Sequence, residues 1–269
     1  MKLAIEHETT YRYDSPVRSS TQYLRLTPRE SSRQNVLQWQ LDTPRPSTQT
    51  HDGYGNVLHV LTLDKPVKEI RIRAHGVIET NPGAEDPPDP AGTLSPLVFV
   101  RCTDLTRPDE ALAAFAGKFR RRSGVLTALR EVGAALVDRL VESGDDAAEP
   151  LPAAQAFSRN LGSVRNLAQV FIACCRHLGV PARYVSGYSI SPAGEAQGIQ
   201  GHAWAEAWVG ERWRGFDLAS AKDKDRAKDK EHLALAIGAD YLDACPIRGV
   251  RTGGGSESMS AVARLVVGQ

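Results

Sequence analysis

Apolar and polar residues alternate along the first eighty positions of the chain, which is typical of strands with one buried face. Turn residues separate these alternating runs, each of which is about ten residues long. The runs are LAIEHETTYRY, TQYLRLTPR, NVLQWQLDTP, HDGYGNVLHVLTLD and KEIRIRAHGVIET. They predict an antiparallel β-sandwich in which DGYGN (52–56) forms a tight hairpin loop.

Proline and glycine become too dense for a helix or strand in NPGAEDPPDPAGTLSP, which begins at residue 81. A segment of this composition is typical of a connection between domains. We therefore predict an N-terminal β domain over residues 1–80, a linker over 81–106 and a second domain over 107–269.

The second domain begins with apolar residues at helical spacing, in RPDEALAAFAGKFRRRSG and VLTALREVGAALVDRLVESG. Another apolar set at steps of three and four residues predicts a buried helix that ends at Gly179, with Pro181 just beyond. Three strands follow, ARYVSGYSI, GHAWAEAWVG and ERWRGFDLA. This order predicts an α+β domain in which the buried helix packs on an antiparallel sheet.

The last two of these strands bring a histidine and an aspartate together. If Gly210 and Glu211 form a two-residue hairpin loop, His202 faces Ala219, and Asp217 becomes its diagonal neighbour on the same face. A carboxylate there orients the imidazole and favours its protonated form. A purely structural pair has the same spacing, so the pattern alone leaves both interpretations open.

The composition of the chain gives no support for a nucleic-acid-binding or membrane-binding protein. The chain has 33 basic and 32 acidic side chains, with 41% apolar and 24% charged residues, so no bulk charge favours nucleic acid or an anionic membrane. The N-terminus has no apolar leader and no apolar run is long enough to span a bilayer, which predicts a cytoplasmic protein. The four cysteines lack a C-x-x-C pair, and His177 and His232 lack partners at zinc spacing, so we expect free thiols, no metal and no cofactor.

Several long motifs resemble the bacterial transglutaminase-like family. They are the run 162–188, then GHAWAEAWV, RWRGFD and EHLALAIGADYLDACPIRGVRTGGG, and near the N-terminus YRYDSPVRSSTQYLRLTPR and DGYGN. The resemblance implies an accessory N-terminal β domain and a papain-like core. In that core a cysteine opens the buried helix, a histidine lies on one strand and an aspartate on the next. His202 and Asp217 match the histidine and the aspartate.

The cysteine position is occupied by Val164. The family's helix opens G-V-C-Q-D-F-A-H, whereas this chain reads GSVRNLAQ, with Arg165, Asn166 and Gln169 where the family has Gln, Asp and His. A valine has no proton to lose and cannot form an acyl-enzyme. The resemblance therefore implies a pseudoenzyme that retains His202 and its aspartate and acts as a peptide- or protein-binding module.

An alternative is an active thiol peptidase, amidase or acyl transferase of the same fold, using Cys245, Cys102 or Ser163 with the His/Asp pair. We interpret Ser163 as the N-cap of the buried helix, and Cys174 and Cys175 as core thiols.

A groove beside His202 is expected to involve Trp204, if that side chain is not simply a core aromatic, together with residues at the head of the helix. These are Ser163, Arg165, Asn166 and Gln169. The expected ligand is a peptide or protein with an amide side chain. The resemblance also implies an ATP-grasp type protein or an active transglutaminase-like protein as a partner, because members of the family often accompany such proteins. A third interpretation treats the core as a scaffold and gives the binding role to the N-terminal β domain.

Overall fold

The N-terminal part of the fold is a curled antiparallel sheet built around one 23-residue strand, β1 (Lys2–Leu24). The computed structural model describes residues 1–81, 84, 94–120, 124–141, 150–191, 198–222 and 231–266. The next four strands are β2 (Gln34–Asp42), β3 (Thr48–His51), β4 (Val57–Leu63) and β5 (Val67–Thr80). One part of β1 pairs with β5 and its end pairs with β4, so a single long strand bends through both halves of the sheet. The predicted antiparallel β architecture is confirmed.

The last two strands of the chain return to this sheet. Both β10 (Ile247–Gly253) and β11 (Glu257–Val266) pair with β1, β11 along its first half and β10 along its second. The predicted division assigned these residues to the second domain, 107–269, and the structure places them differently. The physical reason is that a long strand has two edges, and β10 and β11 satisfy the backbone groups of β1 that β5 and β4 leave unpaired.

The remaining elements form the second part of the fold, which contains every helix of the described residues. Its helices are a 3₁₀ helix (Pro96–Val100), α1 (Glu110–Gly117), α2 (Val125–Arg139), α3 (Ala153–Ser158), α4 (Val164–His177), α5 (Leu218–Lys222) and α6 (Tyr241–Ala244). Its strands are β6 (Ala182–Ile190), β7 (Ile199–Trp208), β8 (Trp213–Phe216) and β9 (Glu231–Gly238). None of the helices in the described ranges is long and apolar enough to cross a membrane.

The end of the predicted linker is packed against the core. Phe99 in the 3₁₀ helix is buried, and its carbonyl accepts a hydrogen bond of 2.8 Å from the buried guanidinium of Arg176. The same side chain also donates to the carbonyls of Ala182 and Ala239. Residues 82–83 and 85–93 of the linker lie outside the described residues, as does most of the charged run 222–231.

Helix α4 packs on the antiparallel sheet β8-β7-β6-β9, as predicted. One face of β7 consists of Ala203, Ala205 and Ala207, which share a buried cluster with α4. Small side chains let a helix approach a sheet closely. Because side chains alternate along a strand, His202 and Trp204 belong to the opposite face of β7.

Two side-chain amides of the N-terminal part bind the edge strand β9. The Gln34 amide accepts from the backbone nitrogen of Ala234 at 2.8 Å and donates to its carbonyl at 2.8 Å. Asn56, which is fully buried, does the same with Ile237, at 2.9 and 2.7 Å. These amides act as short substitutes for a further strand and cover an otherwise open sheet edge.

The DGYGN loop is therefore more than the hairpin turn predicted for it. Asp52 orders the loop by accepting hydrogen bonds from the backbone nitrogens of Tyr54 and Asn56. Tyr54 then reaches into the core, where its hydroxyl donates to Asp243 at 2.6 Å and its ring packs on the cluster containing Trp204. The loop joins the N-terminal sheet to the sheet that carries His202.

Candidate functional site

The β7–β8 hairpin places His202 beside Asp217, as its sequence predicts. Gly210 and Glu211 both adopt positive φ, at 63° and 62°, as a two-residue primed turn requires. The resulting register pairs Ala205 with Phe216. β8 ends there, and Nε2 of His202 lies 2.8 Å from Oδ2 of Asp217.

The two carboxylate oxygens of Asp217 have different roles. Oδ1 accepts from the backbone nitrogen of Ser220 at 3.0 Å and so caps the start of α5. Oδ2 accepts from two imidazoles, His202 at 2.8 Å and His232 at 2.7 Å. Because the carboxylate is the acceptor, Nε2 of each ring carries the hydrogen, which leaves Nδ1 of a neutral His202 as a lone pair.

His232 is the member of this trio that sequence reasoning missed. It lies on β9, where it faces Ser189 across the β6–β9 pair, and its ring centroid is 5.4 Å from that of His202. The register of the β7–β8 hairpin does not predict the position of His232. The reason is that β9 comes later in the chain and pairs with β6 on the edge away from β7. The spacing of His202 and His232 along the chain does not predict that their side chains share Asp217.

The trio is also a group that could hold a metal ion. The ligand atoms of His202, Asp217 and His232 all lie within 4.8 Å of one another. Two imidazoles and one carboxylate suit zinc or another transition metal. The same atoms are already joined by the two hydrogen bonds. Among the described residues, Nδ1 of His202 has no hydrogen-bonding partner that would orient the ring, as second-shell groups do for metal-bound histidines. The hydrogen-bonded arrangement is therefore the better description of the geometry.

Electrostatics favour the ionised form of Asp217. Burial by itself raises the pKa of this carboxyl group, but the hydrogen bonds from His202 and His232 outweigh burial and hold the pKa well below its ordinary value. The carboxylate is thus a permanent acceptor that fixes both rings. Nδ1 of His202 is buried and has no hydrogen-bonding partner among the described residues.

Trp204 lies across the sheet face beside the trio. Its ring centroid is 5.0 Å from that of His232 and 6.3 Å from that of His202. Glycines on both neighbouring strands lie beside the indole, and Gly187 is the one that gives it room. A Cβ on Gly187 would lie 3.0 Å from its outer edge, and one on Gly215 would lie 3.9 Å from its other end. Trp204 is therefore a buried core aromatic that also forms a wall of the site, so it has both of the roles considered from sequence.

Val164 is the first residue of α4. It packs, half-buried, on the cluster that α4 shares with Ala203, Ala205 and Ala207 of β7. The position inferred for the missing cysteine is therefore the N-terminus of the helix that packs on the strand carrying His202.

The other residues predicted near the helix head have local partners. Ser163 caps α4 by accepting from the backbone nitrogen of Asn166 at 3.3 Å, as interpreted from sequence. The guanidinium of Arg165 lies 5.0 Å from the ring centre of Tyr241, and Gln169 accepts from the Tyr241 backbone nitrogen. None of Ser163, Arg165, Asn166 or Gln169 lines the cavity next to Asp217, whereas Trp204 does.

The cysteines are held in other surroundings. Cys174 and Cys175 are fully buried in α4, where burial raises the pKa of each thiol. Cys245 is buried at the end of α6, and its Sγ makes hydrogen bonds with the hydroxyl of Tyr241 and the carbonyl of Ile247. Cys102 is half-buried and follows the 3₁₀ helix, whose Phe99 carbonyl binds Arg176 near the end of α4.

A cavity of about 510 Å³ opens beside Asp217 and His232. Three regions form its walls. The loop 29–34 of the N-terminal part and the first turns of α2 face the sheet residues Trp204 and Phe216. Its volume is within the range usual for binding sites.

Comparison with known proteins agrees with this geometry. Residues 119–218 match the family model of the transglutaminase-like superfamily, and residues 3–79 match that of the bacterial transglutaminase-like N-terminal region. Over these two ranges the chain is therefore similar to the transglutaminase-like superfamily and to its bacterial N-terminal region.

Relatives extend over the whole chain. An uncharacterized protein of Mycobacterium leprae is 26% identical and covers 98% of both chains. One from Mycobacterium tuberculosis is also 26% identical, over 91% of this chain and 86% of its own. The crystal structure of a candidate cysteine protease from Cytophaga hutchinsonii superimposes with a TM-score of 0.76 at 18% identity, covering 100% of this chain and 92% of that one. At this identity the likeness establishes the fold alone.

Proposed function

We propose that this protein binds a peptide or protein segment in the cavity beside Asp217 and does not form an acyl-enzyme there. The observation that carries the proposal is the contrast between two parts of the site. His202 and Asp217 keep a 2.8 Å hydrogen bond, while the helix that would supply the nucleophile begins with Val164.

Acyl transfer through this site requires a group that can be deprotonated. In a thiol enzyme the imidazole takes the thiol proton, and the thiolate then attacks an amide carbonyl. Here Nδ1 of His202 is the ring nitrogen left for that role, since Nε2 is committed to Asp217. An alkyl side chain at Val164 offers no proton to it.

The alternative nucleophiles named from sequence gain no support from their surroundings. Ser163 accepts a hydrogen bond from the backbone of α4, and the Cys245 thiol donates hydrogen bonds to the hydroxyl of Tyr241 and the carbonyl of Ile247. Cys102 follows the 3₁₀ helix, whose Phe99 carbonyl binds Arg176 about 18 Å along α4 from Val164, at ~1.5 Å per residue. The contacts of Ser163 and Cys245 favour structural roles, and the position of Cys102 does not bring it to the start of α4.

The cavity supports the proposal that the protein binds a peptide or protein segment. It offers aromatic surface from Trp204 and Phe216 together with polar groups from Gln34 and Asp217, a combination typical of ligand sites. A binding role uses this surface without a nucleophile. The hydrogen bonds to Asp217 then fix His232, which lines the cavity, and His202, whose ring lies beside Trp204.

The proposal is tested by incubating the wild-type protein with a random heptapeptide library and with activated amide and ester substrates. We expect peptides to be retained, and the intact mass of the protein to remain unchanged by acyl adducts. Substrate turnover, or an adduct, that disappears in His202→Ala would instead establish the active-enzyme alternative. Failure to retain any peptide would contradict the binding role.

A further inference from the structure

The cavity beside Asp217 has a positive lining in a protein that is almost neutral. Five of its lining residues are arginines and three are carboxylates, whereas the whole chain has a formal charge of +1. The arginines are Arg29, Arg33, Arg130, Arg183 and Arg214. A concave surface with this excess attracts anions.

The lining carboxylates already have partners within the chain. Glu206 forms an ion pair of 2.7 Å with Arg183, and both side chains are largely buried. Asp217 accepts from the two imidazoles, and Glu30 accepts from the backbone nitrogen of Val36 at 3.0 Å. Glu206 is therefore committed to Arg183, and the five arginines exceed the three carboxylates of the lining by two charges.

Two of the arginines have no acidic partner among the residues that the structure describes. Arg214 donates from Nε to the carbonyl of Val209 at 3.3 Å, and Arg130 is exposed on α2. Neither forms an ion pair with any other residue in the described part of the chain. A guanidinium offers a planar fork of N–H donors that matches a carboxylate in geometry and charge.

The rest of the lining favours an anion carried on a carbon skeleton. Trp204, Phe216, Ile237 and Leu126 contribute apolar surface, and the volume of about 510 Å³ is much larger than one inorganic anion requires. The carboxylates that also line the cavity would repel a ligand with many closely spaced negative charges. A peptide with one or two acidic side chains fits both features.

We infer that the segment bound in this cavity is an acidic peptide, with an Asp or Glu carboxylate held by Arg130 and Arg214 and its carbon chain on Trp204. This inference rests on the proposed function, and it specifies that the bound peptide is negatively charged.

The test selects binders from the random heptapeptide library on the wild-type protein, then measures affinities by calorimetry for a selected peptide and its Glu→Gln, Asp→Asn counterpart. We expect Asp and Glu to be enriched among the binders. The acidic form should bind about tenfold or more tightly than its amide counterpart. Arg130→Gln and Arg214→Gln should each remove most of that difference. Arg107→Gln, which changes an arginine exposed elsewhere on the surface, should leave it unchanged.

The outcomes separate the two proposals. Enrichment of peptides without acidic residues, or equal affinity for the acidic and amide forms, would overturn the inference and leave peptide binding intact. Binding of inorganic phosphate at Arg130 and Arg214 without peptide enrichment would show an anion site of another kind and overturn both proposals. An acidic preference that persists in both arginine variants would place the carboxylate elsewhere and also overturn the inference.

Discussion

Oδ2 of Asp217 lies 2.8 Å from Nε2 of His202, and the same oxygen lies 2.7 Å from Nε2 of His232. One carboxylate oxygen thus holds two imidazoles, while the other caps the next helix. The His202–Asp217 pair, which the sequence suggests as catalytic, therefore also connects β7, β9 and α5 through hydrogen bonds. This double use explains how the pair can retain its geometry in a chain whose helix begins with Val164.

Replacing Asp217 with Asn should lower the free energy of unfolding by about 1–3 kcal/mol at pH 6, because a charged acceptor is lost from two hydrogen bonds. The pKa of Asp217 is depressed in the folded protein from its ordinary 3.8. Its stabilisation is therefore present above pH 3.8 and is lost as the pH falls below that value. Urea unfolding at pH 6 and pH 3 should show the difference between wild type and D217N narrowing at pH 3. A difference that stays constant would mean that the carboxylate charge is not responsible.

His7 should make stability depend on pH in a separate window. It lies between the hydroxyls of Tyr188, at 2.6 Å, and Thr9, at 3.2 Å, and burial lowers its pKa from 6.5 to about 4. The unfolded chain then binds a proton that the folded protein does not, so stability is complete above pH 6.5 and decreases as the pH falls toward 4. The effect is at most roughly 3 kcal/mol.

The measurement is urea unfolding of wild type and His7→Gln at several pH values between 7.5 and 4.5. The variant should show a shallower decrease than wild type across this range. His51→Gln, at an exposed position, is the control and should follow wild type. Equal slopes for wild type and H7Q would rule out His7 as the source.

Gly187→Ala should destabilise the site far more than another glycine substitution in the same sheet. A Cβ at Gly187 would lie 2.0 Å from the carbonyl oxygen of Leu233 and 3.0 Å from the Trp204 ring, so β6 and β9 would have to separate. A Cβ at Gly201 would meet no atom of the described residues within 4 Å, so this position provides the matched control. We expect G187A to lose at least about 3 kcal/mol of stability, or not to fold, and G201A to change by less than about 1 kcal/mol. Similar thermal unfolding of the two variants would contradict this packing.

Local patterns in the sequence are sufficient to predict the hairpin and the His202–Asp217 pair. Gly210 and Glu211 determine the turn, the turn determines the register, and the register brings Asp217 to His202. The helix of the core is predicted equally well, because its apolar periodicity ends at Gly179, which has a φ of 80°. These features depend on contacts between residues close in sequence.

The features that were missed depend on distant contacts. His232 joins the site through β9, which pairs with β6 after a separate connection. Asn56 binds Ile237 through its side chain, and β10 and β11 return to β1, from which they are more than 200 residues distant. No periodicity in the sequence encodes such pairings, since they depend on which strand edges remain open once the local elements have formed.

The most direct test of the central claim restores the missing thiol. The variant Val164→Cys is treated near pH 6 with an electrophilic peptide amide analogue, alongside wild type and the double variant Val164→Cys/His202→Ala. Ordinary thiols, with a pKa of about 8.5, are almost fully protonated at this pH. If the His202–Asp217 geometry survives with only the nucleophile lost, V164C should be labelled roughly tenfold or more faster than the double variant, and wild type should stay unlabelled. An inert Cys at position 164, or labelling that does not depend on His202, would contradict the account.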